Sequence, residues 1–341
     1  MSATHPPPAS VGVVVIGRNE GERLKQCLAS LLRAGAAADH IVYVDSGSSD
    51  GSVDHARGLG LDVIPLTPPF TAAKGRNAGF VHITNKHPAL SAVQFVDGDC
   101  EYDEAWLSLA AQTLADDATI VAVNGIQKER FPERTVYNLL CDIEWASAFG
   151  DIDAFTGNVM MRATALRDCG LFNDTLIAGE DPELSIRLRK AGGRIVRLRA
   201  PMCLHDLDMH RFSQWWNRNV RAGHAFAEVN AMHGDAPLHF WHKEVRSNWL
   251  WGAALPVGAA TSALPTLGGS VAGLGAAYGV LFLRVYKNAR ARGLDAPTAR
   301  AYAAFTAIGK VPTALGQAKY WLNRARGART TLIEYKKDSP R

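Results

Sequence analysis

The apolar positions of the first two thirds of the chain fall into short runs separated by helical patterns. Residues 11–16, 41–44, 63–66, 93–96 and 120–123 are uncharged and rich in β-branched side chains. Runs of that length and composition predict strands covered on both faces. Between the first two runs, Leu24, Cys27, Leu28, Leu31 and Leu32 recur at helical spacing, and Gly35 marks a stop. The βαβ rhythm predicts an α/β fold with an open, mostly parallel sheet flanked by helices. Ligands bind such sheets at the carboxyl ends of the strands. The polar clusters that follow each run are therefore the places where chemistry is expected.

The last third reads differently. No charged residue occurs from Trp249 to Phe282. That is too long for a single helix spanning about 30 Å of hydrocarbon, and residues 265–269 divide it into halves at 249–264 and 269–286. The second half contains Gly269-x-x-x-Gly273 and Gly275-x-x-x-Gly279, spacings that let helices approach closely in lipid. Lys243 and Arg246 precede the stretch, while Arg284, Lys287, Arg290 and Arg292 follow it. Positive charge on both flanks predicts a helical hairpin in the membrane with both ends in the cytoplasm. A buried helical pair in a soluble protein is the competing reading. Residues 296–329 interleave Tyr302, Phe305, Ile308, Val311 and Leu315 with Arg300, Lys310 and Lys319. This pattern predicts one or two basic amphipathic helices on an anionic bilayer face. Nucleic-acid binding would also explain the charge, but the adjacent apolar run favours lipid, so no nucleic-acid partner is expected.

Composition sharpens this division. Of 341 residues, 47% are hydrophobic and 21% charged, which excludes a largely disordered chain. From Trp241 onward there are 15 Lys+Arg against 4 Asp+Glu; the preceding 240 residues hold 22 against 29. An acidic body and a basic remainder imply two surroundings. The chain reads as a flexible segment at 1–10, a catalytic domain at 11–240, a helical membrane region at 241–330 and a tail at 331–341. The five scattered cysteines include no CxxC pair, which argues against a disulfide framework or zinc site. The first ten residues lack the pattern of a signal peptide, so the body is expected in the cytosol.

The candidate chemistry follows the strands. The second run ends in Asp45-Ser46-Gly47-Ser48-Ser49-Asp50-Gly51, part turn and part helix cap. Asp45 is the residue such a turn explains least. It can accept a hydrogen bond from a base or ribose. The fourth run delivers Asp97-Gly98-Asp99. Two carboxylates two residues apart on an extended segment point the same way, and their hard oxygens suit Mg²⁺ or Mn²⁺ bridging a diphosphate. Thr71 to Gly79 is a small-residue stretch carrying Lys74 and Arg76, both suited to phosphate oxygens. Glu180, Asp181 and Glu183 cluster at a helix start marked by Pro182. Charge on the helix end suffices to explain Glu183, while adjacent carboxylates near a metal-diphosphate site can supply a general base. His205-Asp206 can complete a metal site, although a lone histidine is more often structural.

Taken in order, Val13 to Glu20, Val44 to Gly51, Gly75-Arg76-Asn77-Ala78-Gly79, Asp97-Gly98-Asp99 and Gly179-Glu180-Asp181 resemble the family 2 glycosyltransferases with the GT-A fold. The resemblance covers about residues 13–227. It implies inverting transfer of a sugar from a nucleoside diphosphate sugar, usually UDP-linked. Asp45 would then bind the nucleobase, with Glu20 of the opening motif and Lys74 in the nucleotide site. Arg76 and Asp97 would lie near the ribose and diphosphate. Asp99 would be the principal ligand of Mn²⁺ or Mg²⁺, joined by Asp97 and by His205. Asp181 would be the base, with Glu180 beside it. The segment Gln214 to Asn219 departs from the Gln-x-x-Arg-Trp signature of processive synthases, so transfer of a single sugar is expected. A lipid-linked or cell-envelope glycan acceptor at the cytoplasmic face of the inner membrane is the matching expectation. Three alternatives rank lower. A sugar nucleotidyltransferase would show a Gly-rich, basic loop after the first strand. A membrane-anchored, non-catalytic glycan-binding scaffold needs no competent carboxylates. A nicotinamide dehydrogenase would show GxGxxG after a strand.

Overall fold

The computed structural model describes residues 11–235 and 238–328. The expected segments at 1–10 and 331–341 lie outside the described residues. Contacts divide the chain into two compact units. One comprises residues 11–134 with 141–208, and the other Thr135–Leu140 with Met209 onward. The boundary expected at 240/241 thus falls inside the second unit.

The first unit is built on β1 (Val11–Gly17), α1 (Glu22–Arg33), β2 (Ile41–Asp45), α2 (Ser52–Gly58), β3 (Asp62–Pro65), α3 (Ala72–Lys86) and β4 (Ala92–Asp97). There follow β5 (Cys100–Tyr102), α4 (Trp106–Asp116), β6 (Ile120–Glu129), α5 (Val136–Trp145, of which only residues 141–145 belong to this unit), β7 (Gly150–Asp151) and β8 (Val159–Arg162). The unit continues with α6 (Ala163–Asp168), α7 (Glu180–Lys190) and β9 (Arg194–His205). The strands join one sheet in the order β3-β2-β1-β4-β8-β6-β9-β5, with β7 on β9. The five expected strands are present and the class is α/β, but the sheet is mixed. The run β3-β2-β1-β4 is parallel, β8 is antiparallel to both β4 and β6, and β9 returns parallel to β6. Strands β5, β7 and β8 have two to four residues, too few to show a period-2 pattern.

Burial explains the uncharged runs. Val13 and Val15 of β1 pack with Leu24, Leu28 and Trp106 on one face, while Val14 packs with Phe80, Phe95 and Leu184 on the other. Helix α3 lies close on the sheet because its glycines face it. A Cβ at Gly79 would meet Val14 at 2.3 Å, and one at Gly75 would meet Ile16 at 3.1 Å. The close approach these small residues permit is of helix to strand.

The second unit holds α8 (Phe212–His233), α9 (His242–Trp249), α10 (Leu255–Thr261), α11 (Gly269–Ala291) and α12 (Ala296–Ala325). A π-turn at Leu250–Ala254 joins α9 to α10. Pro256 has no N–H for the Gly252 carbonyl, which favours the wider turn. The hairpin halves appear where expected, but only α11 among the described helices is long and apolar enough to cross a membrane. Residues 296–325 form a single helix, within the expected one or two, and part of it packs inside the unit. Its Ala303, Ala307, Thr313, Gly316 and Gln317 are buried. The glycine contacts also differ from expectation. Gly273, Gly275 and Gly279 face open space, whereas a Cβ at Gly316 would meet the Val220 carbonyl at 2.0 Å and one at Gly223 the Thr313 carbonyl at 2.0 Å. Backbone-to-backbone approach therefore joins α8 to α12. Gln214 begins α8 by accepting from the N–H groups of His210 and Arg211 at 2.8 and 2.9 Å.

Candidate active site

Strands β1, β2 and β4 end side by side, with Gly17 paired to Asp45 and Ile16 to Asp97. The Asp45 carboxylate folds its own loop. Oδ2 accepts from the N–H groups of Gly47 and Ser48 at 3.0 Å each, and Oδ1 accepts from the Tyr43 hydroxyl at 3.1 Å. Gly47 turns the loop at φ +84°, a backbone conformation that suits glycine. Asn19 ties the β1 loop to this one, donating its N–H to Ser48 Oγ and accepting from the Ser49 N–H. Buried Glu20 pairs with Arg23 at 2.9 Å, and Arg23 reaches Asp208 at 3.4 Å. Burial works against the Arg23 charge, but Glu20, Asp99, Asp208 and Asp206 outweigh it and raise its pKa. Lys74 Nζ donates to the Thr67 carbonyl at 3.3 Å.

Arg76 brings three of the expected motifs together. It projects from α3 with only 3% of its surface exposed. Nη2 meets Asp97 Oδ1 at 3.0 Å, while Nη1 meets Glu180 Oε1 at 2.9 Å and Asp181 Oδ1 at 3.1 Å. Burial disfavours the Arg76 cation, but Asp181, Asp97 and Glu180 more than compensate and raise its pKa further. One guanidinium thus holds three carboxylates, and its planar fork sets their positions. Gly157 makes room for it. A Cβ there would meet Arg76 Nη2 at 2.5 Å and Asp97 Oδ2 at 2.9 Å. Asn77, one residue along α3, exchanges two hydrogen bonds with the Phe172 backbone and so fixes the segment leading to α7. Glu183 points elsewhere and forms a paired-oxygen salt bridge with Arg187.

Asp97 and Asp99 have separate partners. Strand β4 ends at Asp97, and Gly98 and Asp99 turn the chain into β5, so the pair does not occupy one extended segment. Asp99 Oδ2 lies 3.2 Å from His205 Nε2. In the sheet His205 stands opposite Cys100 on one side and Glu129 on the other. Ligand atoms of Asp99, Cys100 and His205 lie within 4.8 Å of one another, and all three residues are buried. The carboxylate suits Mn²⁺ or Mg²⁺, while an imidazole nitrogen is taken more readily by transition metals such as Mn²⁺ than by Mg²⁺. Beside them, Asp206 Oδ1 is buried without a hydrogen-bond partner. This donor set fits a divalent cation.

A chain of amides supports the histidine. The Asp97 N–H can only donate, so it makes Asn158 Oδ1 the acceptor, at 3.0 Å. Asn158 Nδ2 then faces Gln127 Oε1 at 3.1 Å, and Gln127 Nε2 faces His205 Nδ1 at 3.1 Å. In that arrangement Nδ1 accepts and the ring proton sits on Nε2, toward Asp99. Burial disfavours the His205 cation, but Asp99 beside it prevails and raises its pKa. A second ring proton would meet the Gln127 donor, so the amide chain opposes full charging. The Trp145 ring stacks on His205 with centroids 4.7 Å apart.

The structure gathers Arg76, Asp97, Glu180 and Asp181 in one cluster and Asp99 with His205 in another. Asp45 and Glu20 stand at neighbouring strand ends with their own partners. Arg23, Gln127, Glu129 and Trp145 were not found by sequence reasoning. Gln127 and Glu129 alternate on β6 beyond its apolar run, a visible signal of polar groups facing one way. Trp145 and Arg23 carry none.

These features can be set beside known proteins. The model of the glycosyl transferase family 2 matches residues 12–168. The match covers somewhat less than half of the chain and falls on its first unit, so residues 12–168 are similar to the family 2 glycosyltransferases. The pre-mycofactocin glycosyltransferase of Mycobacterium tuberculosis is 26% identical over 261 residues, covering 70% of this chain and 53% of the relative. The chain therefore spans about half the length of the curated relatives it matches. Two solved structures share the fold. The mannosyltransferase PcManGT of Pyrobaculum calidifontis, in complex with GDP-Man and Mn²⁺, has a TM-score of 0.61 at 20% identity, with 94% of this chain and 90% of that chain covered. S. aureus TarS 1-349, in complex with UDP, has a TM-score of 0.52 at 15% identity, with coverage of 97% and 98%. The likeness shows that the chain has the GT-A fold that the sequence motifs led one to expect.

Proposed function

We propose that this chain is a family 2 glycosyltransferase, and that it moves one sugar, with inversion, from a UDP-linked donor to a hydroxyl of a lipid-linked or cell-envelope glycan. The Arg76 fork carries this reading. It binds Asp97 on one nitrogen and Glu180 with Asp181 on the other, so the donor-side and acceptor-side carboxylates are positioned by one cation. Asp181 is the base that takes the acceptor proton, and Glu180 holds the Arg76 fork in place beside it. Positioned general bases contribute roughly 10²–10⁴-fold. A carboxylate offers about four acceptor sites. Three on Asp45 are used by its loop, which leaves one for a base N–H. Glu20, Lys74 and Arg76 complete the nucleotide site.

Asp99 and His205, with Asp97 on the diphosphate side, would hold Mn²⁺ or Mg²⁺. When bound, the cation supplies charge to stabilise the departing diphosphate. That PcManGT holds Mn²⁺ with GDP-Man supports this use of a metal and makes GDP-sugars the first alternative donors to test. The helical unit, with α11 exposed, is proposed to meet the cytoplasmic face of the inner membrane.

The test is donor turnover by the full chain in detergent, across a panel of nucleotide sugars with Mn²⁺, Mg²⁺ or EDTA. One donor should turn over in a metal-dependent way and give the opposite anomer. Asp99→Asn should lose metal-dependent nucleotide binding. Asp181→Asn should keep donor binding and lose roughly 10²–10⁴-fold in kcat. Full activity in both variants would overturn the assignment.

A further inference from the structure

The second unit contains an apolar groove of about 510 Å³ that the transfer reaction does not use. Its walls include Trp216 of α8, Pro256 of α10, Leu274, Gly275 and Tyr278 of α11, and Ile308 of α12. The volume lies within the usual range of ligand sites, about 300–1,000 Å³. The walls are hydrocarbon. The one hydroxyl, on Tyr278, is taken by the Trp251 carbonyl. Gly275 adds no side chain, and a Cβ there would have nothing within 4 Å. The missing side chain therefore opens the groove instead of admitting a neighbouring helix. Apolar cavities repel water and take apolar guests.

We propose that this groove binds one hydrocarbon chain of an anionic membrane lipid. Three observations select that occupant. The apolar stretch of α11 is exposed along its length, so the groove wall continues into exposed apolar surface. At the hairpin turn Leu264 and Leu267 are 90% and 97% exposed, which water does not favour. Finally, the uncharged stretch from Trp249 to Phe282 is bracketed by Lys243 and Arg246 on one side and Arg284, Lys287 and Arg290 on the other. Basic residues at both edges of an apolar surface match negative headgroups above lipid chains. The inference rests on the reading that this unit meets a bilayer, and goes beyond it by naming a site for a single chain.

The experiment uses the full chain with vesicles of phosphatidylcholine, with and without phosphatidylglycerol, doped with phosphatidylglycerol bearing a diazirine on its acyl chain. Irradiation should label Trp216, Leu274 and Ile308. Gly275→Leu fills the groove on an open helix face and should cut that labelling about tenfold, the loss expected from one or two methylenes no longer buried. Val271→Trp, on an exposed groove wall, is the second blocking variant. Both should retain donor turnover in detergent. Vesicle binding with labels confined to the outer face of α11, at Val280 and Leu283, would overturn the groove and leave the bilayer reading standing. Absence of vesicle binding would overturn both. Equal labelling when the same diazirine chain is carried on phosphatidylcholine in place of phosphatidylglycerol would overturn the preference for anionic lipid.

Discussion

At the scale of single residues, the site depends on buried charges that compensate one another. Arg76 is held by three carboxylates and is almost wholly buried. Arg76→Gln leaves those carboxylates without their cation and should cost about 3–5 kcal/mol in urea unfolding. Arg76→Lys keeps a charge but loses the fork, so it should recover stability more than turnover. Gly157→Ala drives a methyl against Arg76 and Asp97 and should lower turnover while the fold persists. Glu129 supplies a pH dependence. Burial pushes its carboxyl from 4.5 up to about 7, against the N–H groups of Phe131 and Leu207. The folded state keeps this proton where the unfolded state has lost it. The resulting stability is fully present below about pH 4.5 and is lost as pH rises through about 7. In metal-free protein, Glu129→Gln should remove that slope from a plot of urea midpoint against pH. Asp99 and Asp181 were legible because each sits in a short motif. Trp145 was not, because its role arises from stacking on His205, far away in sequence.

At the scale of elements, glycine placement decides which helices touch. The sequence offers GxxxG spacings on α11, yet their glycines face open space, while Gly223 and Gly316 seat α8 against α12. Spacing shows which face is small and leaves open which partner lies against it. Gly316→Ala should destabilise the second unit by about 1–3 kcal/mol, the usual cost of overpacking. Gly273→Ala meets nothing and should stabilise by up to about 1 kcal/mol through helix propensity. Thermal melts in detergent separate the two. The same distinction holds in the first unit, where Gly75 and Gly79 press α3 onto β1 and thereby deliver Arg76 to the strand ends.

At the scale of the whole chain, charge is divided unevenly. Residues 1–240 carry 22 Lys+Arg against 29 Asp+Glu, and the remainder 15 against 4. Each basic residue near an anionic surface contributes about 1 kcal/mol. Binding of the full chain to phosphatidylglycerol vesicles should therefore weaken steeply as the Debye length falls from about 30 Å in 0.01 M salt to about 3 Å in 1 M. Sedimentation across that range is the measurement. Binding that ignores salt would assign the membrane contact to apolar surface alone.

The sequence by itself determined the strand–helix order of the first unit, the apolar hairpin and the motif residues at strand and helix ends. Those features are local. Period-2 and period-3.6 burial, turn residues and charged helix starts leave their mark within a few positions. The tertiary structure alone decided the mixed sheet, because strands β5, β7 and β8 are too short to carry a pattern. It also sent Asp97 to Arg76 and Asp99 to His205, because a turn separates two residues that an extended strand would have aligned. And it buried one face of α12 among helices, because a basic amphipathic pattern shows which side is apolar and says nothing of whether lipid or protein covers it.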